Sequence, residues 1–130
     1  MSRGLNKVQI IGRVGRDPEM RFTPTGRPVT TFSVGASRAW STANGERHSE
    51  TEWFNIIAWR NLAEICKQYL SKGRLVYIEG RLQTRHWEDQ EGIERSSTEI
   101  VANEMIMLDD RREDNLADNN SDQNDEMSNE

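Results

Sequence analysis

The chain has 130 residues, 34% hydrophobic and 30% charged, with a net charge of −5. That length suits one compact domain, and the lone cysteine, Cys66, excludes an intramolecular disulfide, while no Cys/His cluster has the spacing of structural zinc. The start, Met-Ser-Arg-Gly, has no apolar stretch of the secretory kind and no run is long enough to cross a bilayer, so a soluble, cytoplasmic protein is expected.

In chain order the first periodic stretch is Lys7 to Val14, rich in β-branched residues and closed by the Asp17-Pro18 turn signal. Met20 to Thr23 is a short extended piece before a Pro24-Thr25-Gly26 turn. Val29 to Ala36 alternates, with Phe32, Val34 and Ala36 on one side. Ser41 to Glu50 is polar, contains Asn44-Gly45, and reads as a long loop or a hairpin tip. Thr51 to Trp59 is the third main strand. A helix follows, capped by Asn61 with Glu64 in reciprocal position, carrying Leu62, Ile65, Cys66 and Tyr69 at helical spacing, and stopped by Gly73. Leu75 to Trp87 and Ser97 to Leu108 are the last two strands, joined through an Asp89–Gly92 turn. Three strands, one helix and two strands fit the five-stranded Greek-key barrel of the OB-fold, and the helix favours it over a small β-sandwich.

The negative net charge is unevenly spread. Nine acids and two bases fall between Asp109 and Glu130, which leaves 13 acids and 15 bases in residues 1–108. The expected organisation is a slightly basic domain over 1–108 and an acidic tail over 109–130. With Leu116 and Met127 as its only large apolar residues, the tail is expected to be disordered.

None of the four tryptophans, Trp40, Trp53, Trp59 and Trp87, falls in the expected helix. Trp53 and Trp59, six apart on a strand, share a face if no bulge intervenes, and Phe54, Ile56 and Ala58 take the other. In the next strand Val76, Ile78 and Leu82 form one face; Tyr77, Arg81, Gln83, Arg85 and Trp87 form the opposite one. An indole can stack on any unpaired base, and cations between indoles meet the phosphates. In a duplex the base faces are already occupied. The pattern therefore points to a single-strand platform, although one tryptophan alone is more often core.

Several long stretches carry a resemblance: SRGLNKVQIIGRVGRDPEMRF, TEWFNIIAW, LAEICKQYLSKG and LVYIEGRLQTRHW. Over nearly all of residues 1–108 the chain resembles the bacterial single-stranded DNA-binding proteins. The resemblance implies an OB-fold, a homotetramer and single-stranded DNA wrapped over the assembly, in replication, recombination and repair. It implies stacking at Trp40, Trp53, Trp59 and Trp87, and strand contacts from Arg3, Lys7, Arg21, Lys72 and Arg85; Arg81 joins them from the face it shares with Arg85. Two positions depart from the family pattern. Phe54 stands where many relatives have histidine, at a position implicated in subunit association. The tail closes Asp125-Glu126-Met127-Ser128-Asn129-Glu130 without the family's Ile-Pro-Phe tip, so weakened contact with replication and repair proteins is expected.

Other signals carry less. Gly12-Arg13-Val14-Gly15 lacks the spacing of a phosphate loop, and its glycines read as strand bends or bulges. His48 and His86 stand far apart; His86 is either a donor near a phosphate or merely exposed. No catalytic residue, metal or cofactor is expected. A metal-dependent nuclease using Glu79 and Glu52 has no spacing to support it. An OB module for RNA, or a protein adaptor, remains open, because stacking does not distinguish RNA from DNA.

Overall fold

The computed structural model describes residues 3–109, and the expectations for residues 110–130 fall outside them. Its elements are β1 (Val8–Val14), β2 (Glu19–Phe22), β3 (Pro28–Ser41), β4 (Arg47–Trp59), α1 (Arg60–Tyr69), β5 (Leu75–Glu88) and β6 (Glu94–Met107). The strands run β1-β5-β6-β4-β3, and β1 returns to β3 through Arg13–Gly35 and Val14–Val34. The sheet thereby closes as a five-stranded barrel, with β2 laid on the edge of β3. β4 and β6 are parallel at Ile56–Ile100 and Ile57–Val101, whereas the other pairs are antiparallel.

Alternation along the strands fills the barrel. Phe32 and Val34 from β3, Ile56 and Ala58 from β4, Val76 and Ile78 from β5 and Ile100 from β6 are buried against one another. Gly12 is not a bulge, since the β1–β5 register runs through it without a shift; a Cβ there would stand 2.2 Å from the Gly35 carbonyl oxygen, so it marks the close approach of β1 to β3. The bulge is in β6, where Glu79 faces Glu104 and Gly80 faces Ala102, leaving Asn103 extra.

The helix corrects three expectations. Asn61 does not cap it: Trp59 is the N-cap residue and makes no side-chain cap bond. Arg60, at φ 58, turns the chain sharply from β4 into α1. The helix ends at an extended Leu70, so Gly73 instead turns the Ser71–Arg74 link, where the Arg74 N–H donates to the Ser71 carbonyl. Ala63, Cys66 and Leu70 form the buried stripe; Ile65 and Tyr69 are exposed. Burial pushes the Cys66 thiol up to about 12, which leaves it an inert packing group.

Ser41 to Glu50 is a hairpin tip, with the turn at Thr42–Glu46 and strand on either side of it. β3 and β4 stay paired out to Ser41–Arg47, and β5 and β6 out to Glu88–Glu94, as two long arms. The three hairpin turns, Thr23–Arg27, Thr42–Glu46 and Asp89–Ile93, share one design. In each, the first residue exchanges backbone bonds with the fourth and fifth, and its side-chain oxygen accepts from the N–H of the fifth (3.1, 3.2 and 2.9 Å). The fourth residue is a glycine at φ 82 to 88. At the last turn the Ile93 N–H, with Arg95 beside it, holds the Asp89 carboxyl below the usual aspartate range.

Candidate nucleic-acid interface

All four indoles reach the surface, with Trp53 58%, Trp87 40%, Trp40 39% and Trp59 36% exposed. The unbroken β3–β4 register keeps Trp53 and Trp59 on one side of the ribbon, as their spacing requires. Trp40, opposite His48, has the parity of Phe32 and Val34 and takes the other side.

Each indole is set differently. Trp53 lies over two glycines, because a Cβ at Gly15 or Gly35 would stand 2.4 or 2.7 Å from its ring carbon Cζ3. The six-membered end of the indole, at Cζ3 and Cη2, therefore sits close over both glycines. Trp59 lines a groove of about 560 Å³ with Arg21, Phe22, Arg16, Arg85 and Glu99. Trp40 and Trp87 stand on the arms, beyond the barrel. The Arg38 guanidinium lies 4.4 Å from the Trp40 ring centre, and that of Arg85 lies 4.7 Å from Trp87. His48 stacks on Trp40 at 5.6 Å between centroids.

The expected cations do not gather in one place. Arg21 and Arg85 meet at the groove with Trp59. Lys7 is on the outer face of β1 and β5, 3.5 Å from Glu79. There the Tyr77 hydroxyl donates to Glu79 at 2.6 Å, and this bond holds the Glu79 carboxyl below its ordinary value and raises Tyr77; the Tyr77 oxygen also accepts from Gln9. Arg81, on the same strand, reaches Gln83 at 3.4 Å. Lys72 is exposed in the turn after α1, its N–H donating to Asp17, and Arg3 is exposed ahead of β1. Leu82, expected with the core face of β5, is 45% exposed: it lies two residues beyond the last pair of β5 with β1, Val8–Gly80.

The sequence reading missed Arg16, Phe22 and Glu99 in the groove and Arg38 on the arm. Arg-x-Trp occurs twice, at Arg38–Trp40 and Arg85–Trp87, and is the signal that was available for the last of these. Among the described residues no His/Cys/Asp/Glu group is arranged to hold a metal ion, and no helix is long and apolar enough to cross a membrane.

The closed barrel is shared with known proteins. The model of the Single-strand binding protein family matches residues 5–108. The chain belongs to that family. A single-stranded DNA-binding protein of Neisseria meningitidis is 56% identical over 109 residues, which are 84% of this chain and 63% of that protein. Single-stranded DNA-binding protein 1 of Chlorobaculum tepidum is 51% identical, over 83% of this chain and 67% of its own length. The chain thus spans less than two thirds of the neisserial relative. Among solved structures, a Plasmodium falciparum SSB complex with ssDNA superposes with a TM-score of 0.74 at 36% identity, over 84% of this chain and 99% of that one. Its likeness supports the OB-type barrel.

Proposed function

We propose that this chain binds single-stranded DNA without sequence preference and catalyses no reaction, protecting the strand during replication, recombination and repair. The observation that carries the reading is the exposure of all four indoles, since a β-domain would otherwise use such large rings to fill its core. Stacking on each is worth roughly 1–3 kcal/mol per base whatever the base. Arg21 and Arg85 beside Trp59 supply cations for phosphate. The relatives are named for single-stranded DNA binding and the plasmodial neighbour is a complex with ssDNA, which agrees with the reading. Arg3, Lys7, Lys72 and Arg81 belong to the proposed path as outlying contacts.

The reading includes a homotetramer in the cytoplasm, associated with the nucleoid. In support of an assembly, Ile11, Tyr77 and Ile106 stand in register across β1, β5 and β6, and the two isoleucines are 59% and 45% exposed. Such an apolar row is the kind of surface that copies of a chain bury. Phe54 is half-buried against the core of its own chain, which makes it a lesser candidate for the contact. Replication and repair proteins are the proposed further partners, through the acidic segment.

One titration tests both parts. Poly(dT) should quench the tryptophan fluorescence strongly and duplex DNA much less, while light scattering reports four chains per particle. Equal responses to single strand and duplex would overturn the binding mode, and a monomer at micromolar concentration would overturn the tetramer.

A further inference from the structure

The two arms repeat one arrangement that the barrel does not contain. On β3, Arg38 lies over Trp40 and its Nη2 is 3.0 Å from Oε1 of Glu50, the residue facing it on β4. On β5, Arg85 lies over Trp87, and its Nε and Nη2 both donate to Oε2 of Glu99 on β6, at 3.3 and 3.0 Å. In each case a carboxylate holds a guanidinium and the guanidinium covers an indole. The Glu99 side chain is only 11% exposed, and its second oxygen, Oε1, is buried without a partner. Burying a carboxylate in a groove meant for a polyanion is costly, so its presence calls for a reason.

Trp53 supplies that reason by contrast. Its indole is backed by the glycine floor of the barrel, with the rest of the ring left open. Trp40 and Trp87 stand where no barrel lies beneath them. An unsupported indole samples several rotamers, and a base that stacks on it must first freeze it. A planar guanidinium, tied from behind by a carboxylate, gives such a ring a fixed back. On the β3–β4 arm, His48 from the facing strand adds a second brace.

We propose that Glu50 and Glu99 are positioning residues for strand binding: each holds an arginine flat against a tryptophan, so that the indole is presented in a fixed orientation to a base. Arg85 then acts partly through Trp87 rather than through phosphate alone, and Arg38 joins the interface in the same role. The inference rests on the proposed binding of single strands, and it reverses the simple electrostatic expectation. Removing a negative charge from a DNA-binding face ordinarily tightens binding. Here the loss of either carboxylate loosens it.

The variants Glu50→Gln and Glu99→Gln test this in the full chain, with Glu91→Gln in the β5–β6 turn as a control for charge alone. Poly(dT) affinity should fall about two- to tenfold in the first two, the range set by ordering one mobile side chain per site. The dependence on salt should keep its slope, because no phosphate contact is removed. Glu91→Gln should bind as the unaltered chain does or slightly more tightly. Arg85→Lys keeps the charge and loses the plane, so it should weaken binding as Glu99→Gln does, and the double variant should be no worse than either. Near-ultraviolet circular dichroism of the DNA-free variants should show less ordered indoles with unchanged melting. That readout stands even if the protein fails to bind single strands, so it separates this inference from the functional reading. Tighter binding by Glu50→Gln and Glu99→Gln would show the carboxylates competing with phosphate for the arginines and would overturn the proposal. Unchanged binding, or an unchanged indole signal, would reduce them to surface ion pairs and overturn it equally.

Discussion

A small residue under a large one is the unit on which the candidate interface depends. Trp53 is open on one side because Gly15 and Gly35 offer no Cβ beneath it. In the sequence, Trp53 was legible as a surface residue from its parity against Phe54, Ile56 and Ala58, which the structure turns inward. Its glycine seat was not legible, since Gly15, Gly35 and Trp53 meet only through the pairing of β3 with β4 and the return of β1. Gly35→Ala places a methyl 2.7 Å from the ring carbon and forces the indole to tilt or lift. If Trp53 stacks on a base, this variant should lose about 1–3 kcal/mol of affinity for single strands, comparable to Trp53→Ala. Fluorescence titration of both variants measures it. Full affinity in Gly35→Ala would mean that the seat does not orient the ring.

At the scale of elements, the barrel strands and the long β5 are legible in the sequence, whereas the β3–β4 arm is legible only as a loop or a hairpin tip. Alternation signals a strand only where one face meets a core, and β3 beyond Ala36 and β4 before Trp53 have polar residues on both faces. Their pairing is accompanied instead by the turn at the tip and by the cross-strand pairs Ser37–Thr51, Arg38–Glu50 and Trp40–His48. The same turn recurs as Thr-Pro-Thr-Gly-Arg, Thr-Ala-Asn-Gly-Glu and Asp-Gln-Glu-Gly-Ile, so a repeated Thr/Asp-x-x-Gly pattern was the local signal for three hairpins. The parallel contact of β4 with β6 and the left-handed Arg60 had no such signal, because both follow from how distant segments dock. The glycine at φ 82 in the last turn is required there, since a Cβ in that region is disfavoured by about 1–2 kcal/mol. Gly92→Ala should therefore destabilise the β5–β6 arm by that amount. Amide exchange along Arg85 to Ser97 should quicken while the barrel strands keep their protection. Uniform protection across the arm would show that the strands, not the turn, hold it together.

On the scale of the whole molecule, charge is divided between two parts of the chain. Residues 110–130 carry eight acids and two bases, next to a body with a slight excess of bases. Asp109, the first acid of the expected tail, is joined to the barrel: Oδ1 pairs with Arg74 at 3.1 Å and Oδ2 accepts from the Leu75 N–H at 3.1 Å. Any truncation should therefore keep Asp109, so that the end of the barrel is undisturbed. An acidic segment tethered to a basic surface would be present there at a high effective concentration and would compete with phosphate for the same cations. Deleting residues 110–130 should leave melting unchanged and tighten single-strand binding, most clearly at low salt, because screening shortens the reach of the segment's charge to about 8 Å near physiological ionic strength. Measuring affinity for poly(dT) over a salt series, with and without the segment, decides the matter. Convergence of the two curves at high salt would identify the effect as electrostatic competition. Looser binding after truncation would instead make the acidic segment part of the binding surface, and curves that coincide at every salt concentration would remove it from the DNA-binding equilibrium altogether.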